Sequence, residues 1–375
     1  MGFLIAYFVV AVSCIAISGR TLVAYSECSM GFKLCIYLLF IYAWFSPILI
    51  WNIQAKLNMP VWLYTYLAKF SYFLFGFAFL LVISLIARDI IWTAAYYLSG
   101  KNIVSPIDNT ALSYANLTIL GIVLLMSIYA VYAAEKLPNV VYYRYADARI
   151  QKDVKIVIAS DLHITKMTSI DKVKEQVDYI NDLKPDIVLL PGDIADDKVE
   201  DIKGQIHELK KLKAPLGIYY TLGNHETYFN AYAWEAEFAT LGWTVLHNSG
   251  VSVPNTGVYI GGIPDVHGFA TNFKQTVRQS ADNEYRVVLS HIPTAAKYIG
   301  DTKIDMLVAG HTHGGQIFPF NILTKYGNDG YVFGEYKLNN TVILVSRGVG
   351  YWGPPMRLGA PNDLIVVELY HSEKS

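Results

Sequence analysis

Five short polar blocks each close an apolar run: KIVIAS stops at Asp161-Leu162-His163, IVLL at Pro191-Gly192-Asp193, GIYYTL at Gly223-Asn224-His225-Glu226, RVVLS at His291, and DMLVA at Gly310-His311-Thr312-His313-Gly314-Gly315. Together they supply aspartates, an asparagine and several histidines but no cysteine. That donor set suits borderline or hard divalent cations such as Mn, Fe or Zn, and differs from the Cys-rich tetrahedra of structural zinc. Asp161 with His163, and His311 with His313, have i, i+2 spacing. On extended backbone both members of such a pair leave the same face, about 7 Å apart at Cα, and can serve adjacent ions. Each block alone reads first as a turn, in which Gly supplies a positive φ and Asp or Asn bonds its own backbone. Their conjunction points to a site.

The apolar runs are the elements that must position these groups. From about Val140, runs rich in Val, Ile and Tyr alternate with helical stretches, an α/β rhythm. The pattern predicts strands at Val140–Arg144, Lys155–Ser160, Ile187–Leu190, Gly217–Leu222, Val258–Gly262, Arg286–Ser290, Met306–Ala309, Tyr331–Leu338, Val342–Ser346 and Leu364–Leu369. Helices are predicted over Ser169–Leu183 and Val199–Leu212, and Asn339-Asn340 reads as a hairpin turn. In open α/β sheets ligands bind beyond the carboxyl ends of strands, so five such ends aim at one place.

In this order DLH, GD, GNHE, SH and GHTHGGQ resemble the calcineurin-like metallophosphoesterase superfamily, over about residues 153–371. The stretch GHTHGGQIFP looks closest to a membrane-associated bacterial branch. The resemblance implies a four-layer α/β/β/α sandwich and a pair of divalent ions. By similarity Asp161, His163 and His313 bind the first ion, Asp193 bridges both, and Asn224, His291 and His311 complete the second. His225 is then no ligand but lies beside the phosphate, stabilising charge or protonating the leaving oxygen. A carboxylate suits the bridge because it offers two oxygens and a negative charge that offsets the repulsion between cations. The implied chemistry is attack of metal-activated hydroxide on phosphorus, with Mn the favoured metal. Relatives in the wider superfamily include enzymes that cleave the pyrophosphate of nucleotide-linked lipid precursors.

Outside the blocks, His207, His247, His267 and His371 read as surface or hydrogen-bonded imidazoles. Arg347 and Arg357, in the Gly- and Pro-rich stretch SRGVGYWGPPMRLGAP, are weaker candidates for phosphate binding, with salt bridges as the alternative. Tyr351 and Trp352 read first as loop packing, with a place at the site or the membrane surface as the alternative.

The first part of the chain differs sharply. Hydrophobic residues make up 53% and charged residues 16% of the whole, against roughly 25% charged in a typical soluble domain. Residues 1–136 carry only seven Lys or Arg and four Asp or Glu. Four charge-free stretches, 2–19, 34–51, 70–87 and 110–134, are long enough to cross about 30 Å of hydrocarbon as helices. Met-Gly-Phe supplies no basic n-region, so the first stretch reads as a retained helix and not a cleaved signal. Pro47 should kink the second, which neighbouring helices tolerate. No span contains a charge, which favours an anchor over a transport path. Cys14, Cys28 and Cys35 all fall in this part and read as membrane packing. The expected division is 1–136 as a transmembrane four-helix segment, 137–152 as a join and possible first strand, and 153–371 as the hydrolase.

Basic residues nearly balance across the two sides, with Arg20, Lys33, Arg88 and Lys101 against Lys56, Lys69, Lys136, Arg144 and Arg149. Because Arg20 and Lys33 follow the first helix and nothing basic precedes it, the hydrolase is expected outside the cytoplasm. A net charge of −1 without a basic stripe excludes any electrostatic case for nucleic acid. The expectation is a multi-pass membrane phosphoesterase acting on a phosphorylated or lipid-linked small molecule, with membrane lipid as partner and oligomeric state open. Two alternatives stand beside it: the same chemistry on a soluble substrate with the helices as tether, and a non-catalytic membrane scaffold or sensor.

Overall fold

A computed structural model describes residues 2–23, 29–56 and 59–372; Cys28 and the side chain of Lys56 lie outside the described residues. The chain forms two compact units, one of residues 1–132 with Gly353–Met356, the other of residues 133–352 with 357–375.

The first unit is built from α1 (Gly2–Val23), α2 (Met30–Lys56), α3 (Val61–Leu98) and α4 (Asn109–Glu135). All four are long and apolar enough to cross a membrane. At 1.5 Å per residue the 38 residues of α3 extend about 57 Å, nearly twice the hydrocarbon thickness. The helices therefore run past their charge-free stretches, with flanking ions placed where they can reach the interface. Several polar groups inside the unit are paired. Pro47 lies within α2 and cannot donate to the carbonyl of Ala43. The hydroxyl of Ser46 supplies that hydrogen bond instead, at 3.0 Å. Arg88, largely buried where the charge-free part of α3 ends, pairs with Asp89 at 2.6 Å and donates to Asn116 of α4.

The second unit contains strands β1 (Asn139–Asp147), β2 (Val154–Ile158), β3 (Ile187–Leu190), β4 (Ile218–Tyr220), β5 (Thr244–Val245), β6 (Ser249–Val253), β7 (Val258–Gly262), β8 (Tyr285–Leu289), β9 (Met306–Ala309), β10 (Gly334–Leu338), β11 (Thr341–Val345) and β12 (Asp363–His371). Between them run α5 (Ile170–Asp182), α6 (Val199–Glu208), α7 (Asn224–Tyr228), α8 (Ala231–Thr240), α9 (Phe273–Thr276) and α10 (Phe320–Gly327). The strands form two six-stranded sheets, ordered β1-β12-β2-β3-β4-β5 and β10-β11-β9-β8-β7-β6.

Alternation along each strand divides the apolar residues between two faces. Ile156, Ile158, Ile187 and Leu189 of one sheet meet Val287, Leu289, Met306 and Val308 of the other between the sheets. Val157, Val188 and Leu190 turn outward onto Val177 of α5 and Trp234 of α8. Val288, Leu307 and Ile343 face Phe273 of α9 on the far side. The result is the α/β/β/α four-layer sandwich implied by the motif resemblance, each buried Val, Leu or Ile contributing about 1.5–3 kcal/mol. Strands β2 to β5 run parallel, as do β7, β8, β9 and β11. Within each sheet the carboxyl ends of these strands therefore fall on one edge.

Candidate metal centre

Asp161 follows β2, Asp193 follows β3, Asn224 opens α7 after β4, His291 follows β8, and His311 and His313 follow β9. The sequence expectation that the i, i+2 pairs lie on extended backbone is corrected here. Asp161, His163, Asp193, His311 and His313 have φ of 55°, 47°, 52°, 71° and 50°. Left-handed backbone is uncommon for residues other than glycine and costs energy, so such a cluster marks a site whose surroundings over-determine it. The pairs converge because the chain coils as it leaves each strand, and not through the pleat.

Backbone amides hold the carboxylates in place. His311 N–H donates to both Asp161 oxygens at 3.0 and 3.1 Å, and His225 N–H donates to Asp193 Oδ1 at 2.9 Å. The glycines of the blocks make the approach possible. A Cβ on Gly223 would collide with the Asp193 carboxylate, and one on Gly310 with Asp161 and Ser160.

All seven predicted ligands come together. His163 Nε2 and His313 Nε2 stand 3.0 Å apart, and both face Asp161 Oδ1, at 3.9 and 3.4 Å. Asp193 Oδ2 lies 3.1 Å from His291 Nε2 and 3.7 Å from His163 Nε2. His311 Nδ1 lies 3.0 Å from Asn224 Oδ1. Two nitrogens about 2.1 Å from one ion at a right angle would stand about 3.0 Å apart, so the His163 and His313 spacing fits a shared cation. His291 is fixed by its Nδ1 bond to the Pro191 carbonyl at 2.8 Å. Its buried Nε2 makes no well-aligned hydrogen bond. A ligand imidazole is oriented this way, with one nitrogen on a carbonyl and the other lone pair free. His225 also approaches, its Nε2 3.9 Å from Asp193 Oδ2.

The electrostatics show how strongly the site draws positive charge. Burial pushes the Asp161 carboxyl up. Burial acts on Asp193 in the same sense, but the imidazoles of His291 and His225 outweigh it and hold that carboxyl well below the usual range. Burial would lower His291 and His225. The Asp193 carboxylate instead raises His291 to about 10, and Asp196 with Asp193 raises His225 to about 9. His311, buried and beside His291, falls to about 3. Protons drawn onto two imidazoles answer the same demand that a cation meets.

Two functional residues escaped the sequence reading. Asp196 Oδ1 accepts from His225 Nδ1 at 2.6 Å. The buried Glu226 accepts from the amides of Asp193, Ile194, Ala195 and Gly223 at 3.1, 2.6, 3.0 and 2.9 Å, tying the β3 and β4 loops together. Arg357 is not placed to grip a phosphate. It is 1% exposed, and all three guanidinium nitrogens are taken up by the carbonyls of Gly350, Arg347, Gly348, His313 and Ala360 and by His313 Nδ1. Arg347 pairs with Asp363 at 3.3 Å and lies 3.9 Å over the Phe333 ring. Tyr351 donates to Glu135 at 3.2 Å. His207, His247 and His371 bond Glu237, Glu235 and the Ile150 carbonyl.

Residues 154–315, which carry every one of these ligands, match the calcineurin-like phosphoesterase family. A Campylobacter jejuni uncharacterized metallophosphoesterase is 30% identical over 261 residues, covering 66% of this chain and 68% of that protein. The chain belongs to the calcineurin-like phosphoesterase family. A Helicobacter pylori uncharacterized metallophosphoesterase is 32% identical over 228 residues, 59% of this chain and 61% of its own length. A Bos taurus transmembrane protein with metallophosphoesterase domain is 30% identical over 226 residues, 55% of this chain and 51% of that protein. The match thus spans about three-fifths and about half of these last two relatives. Because the metallophosphoesterase relatives include an animal protein, membership is of the family as a whole and the bacterial branch stays unassigned. The apolar helices and the relative's printed name together support a membrane protein.

Proposed function

We propose that this chain is a membrane-anchored phosphoesterase, with residues 1–136 as anchor and 153–371 as hydrolase, acting on a phosphoester or pyrophosphate bond in a lipid or lipid-linked head group. The observation that carries the chemistry is the set of close approaches that brings Asp161, His163, Asp193, Asn224, His291, His311 and His313 together from five strand ends. Asp161, His163 and His313 would hold one divalent ion and Asn224, His291 and His311 a second, with Asp193 between them and Mn favoured. Bound there, the ions would supply Lewis acidity and a water acidic enough to attack phosphorus near neutral pH.

The chain's own residues do the rest. Asp193 is held by His225 N–H at Oδ1, which leaves Oδ2 facing His291 and His163. His225 gives its Nδ1 proton to the Asp196 bond and so presents Nε2–H to the centre as the imidazolium. That group can donate to a leaving oxygen as charge develops. The lipid reading is supported by the four apolar helices, which keep a hydrolase beside its substrate's own phase. Orientation outside the cytoplasm follows from Arg20 and Lys33 after the first helix.

The test is metal analysis of purified full-length protein coupled to turnover of bis-p-nitrophenyl phosphate and a panel of phospholipids and lipid diphosphates. Asp193→Asn should lose metal and turnover by orders of magnitude while keeping its far-UV circular dichroism. Turnover of soluble phosphodiesters without any lipid substrate would leave the helices as a tether. Unchanged activity in Asp193→Asn would defeat the enzyme reading.

A further inference from the structure

Helix α10 is inside out. Its inward positions are polar: Thr324 and Asn328 are buried, with Thr324 Oγ1 donating to the Phe320 carbonyl at 3.1 Å and Asn328 Nδ2 to the Thr324 carbonyl at 3.0 Å. Its outward positions are apolar: Phe320 and Ile322 are exposed, as are Leu323 at 62% and Tyr326 at 81%. A surface helix of a water-facing domain buries its apolar stripe. This one does the reverse.

The apolar face continues beyond the helix. Phe318 precedes it and is exposed, and Gln316 exchanges hydrogen bonds with the backbone of Trp352, also exposed, at 3.0 and 3.2 Å. Across residues 314–328 the single charged residue is Lys325. The helix is seated on the metal-ligand loop itself, since a Cβ on Gly315 would strike the backbone of Asn321.

We infer that α10 and Trp352 form a bilayer-contacting surface, lying in the headgroup region with Leu323 and Tyr326 toward the acyl chains. Two features select lipid over a protein partner. The face is composed as an interfacial segment, with Phe, Tyr and Trp, aliphatic residues and one lysine without an acid. The chain also delivers the domain to the bilayer, because only residues 136–138 separate α4 from β1. Three residues reach about 10 Å at most. The loop bearing His311 and His313 leads directly into this face, so a bilayer contact there would bring the site to headgroup level.

The inference rests on the helices spanning a membrane, which carbonate extraction reports separately: release of the chain at alkaline pH overturns both readings. The decisive experiment uses full-length protein in phosphatidylcholine and phosphatidylglycerol liposomes, with the native cysteines replaced by alanine. A nitroxide is placed at Leu323→Cys, at Tyr326→Cys, or at Asp301→Cys on an exposed turn. The ratio of oxygen to nickel-chelate collisions should be several-fold higher at the first two positions than at the third. Equal ratios place the face in water, and exclusion of both agents places it under a second protein copy; either result overturns the inference. Hydroxyl-radical footprinting of unmutated protein in the same liposomes removes any dependence on the substitutions. Tyr326 should react several-fold more slowly than Tyr232, although it is the more exposed of the two, 81% against 68%; equal rates overturn the inference.

Discussion

Replacing Asp196 with Asn should move the alkaline limb of catalysis while leaving the acid side alone. Burial would lower His225, but Asp196, followed by Asp193, raises it from 6.5 to about 9. Asp196 is the larger of these two causes and makes the 2.6 Å bond, so its removal should lower the imidazole, each tenfold change in its protonation being worth about 1.4 kcal/mol. The sign follows from the direction of the shift. A raised imidazole stays protonated to higher pH, and its contribution as an acid is lost as pH rises through the folded value. At pH 8 a donor of pKa about 9 is roughly 90% protonated, so lowering it by loss of Asp196 should reduce kcat/KM several-fold there, with little change at pH 6. The assay is a pH profile of bis-p-nitrophenyl phosphate hydrolysis by metal-loaded full-length protein. A uniform loss at every pH, or an unmoved alkaline limb, would refute the assignment of the proton to His225.

Three further outcomes follow from the same geometry. Gly223→Ala should lose bound metal by mass spectrometry, because its Cβ collides with the Asp193 carboxylate, whereas Gly204→Ala, whose Cβ meets only Ile170 Cδ1 at 3.8 Å, should keep full occupancy. Metal binding should release protons, because the ligand His291 sits near 10 beforehand. Titration calorimetry in buffers of different ionisation enthalpy should therefore give different apparent heats, and affinity should weaken as pH falls. Arg357→Met should lower stability by about 3 kcal/mol or more in thermal melts, since it leaves the buried Gly350 and Ala360 carbonyls without their donor.

The ligands were legible because each block sits where an apolar strand stops, and strand ends are where parallel sheets present their loops. Their backbone was not legible: pleat spacing and a left-handed turn both bring Asp161 and His163 together, and residue types alone do not separate them. Asp196 and Glu226 were passed over because they touch other side chains and amides and not the centre directly, although both lie inside or beside the GD and GNHE blocks. The strands β5 and β6 were invisible for a different reason. Thr244–Val245 is too short to show a period, and SGVSV carries two serines and a glycine. Arg357 looked available because Gly and Pro surround it, yet those residues fold a loop tight enough to enclose it. The inverted polarity of α10 was hidden because FNILTKYG has a helical apolar period whichever side it faces.

The donors come from both halves of the sandwich: Asp161, His163, Asp193 and Asn224 follow strands of one sheet, and His291, His311 and His313 follow strands of the other. Cations held there would act as rivets along the shared edge of the layers, adding their binding free energy to the cohesion of the whole sandwich and not to one loop. Stripping them would loosen the seam between the sheets first, at the rim where chemistry happens, while the aliphatic layer behind it stayed closed.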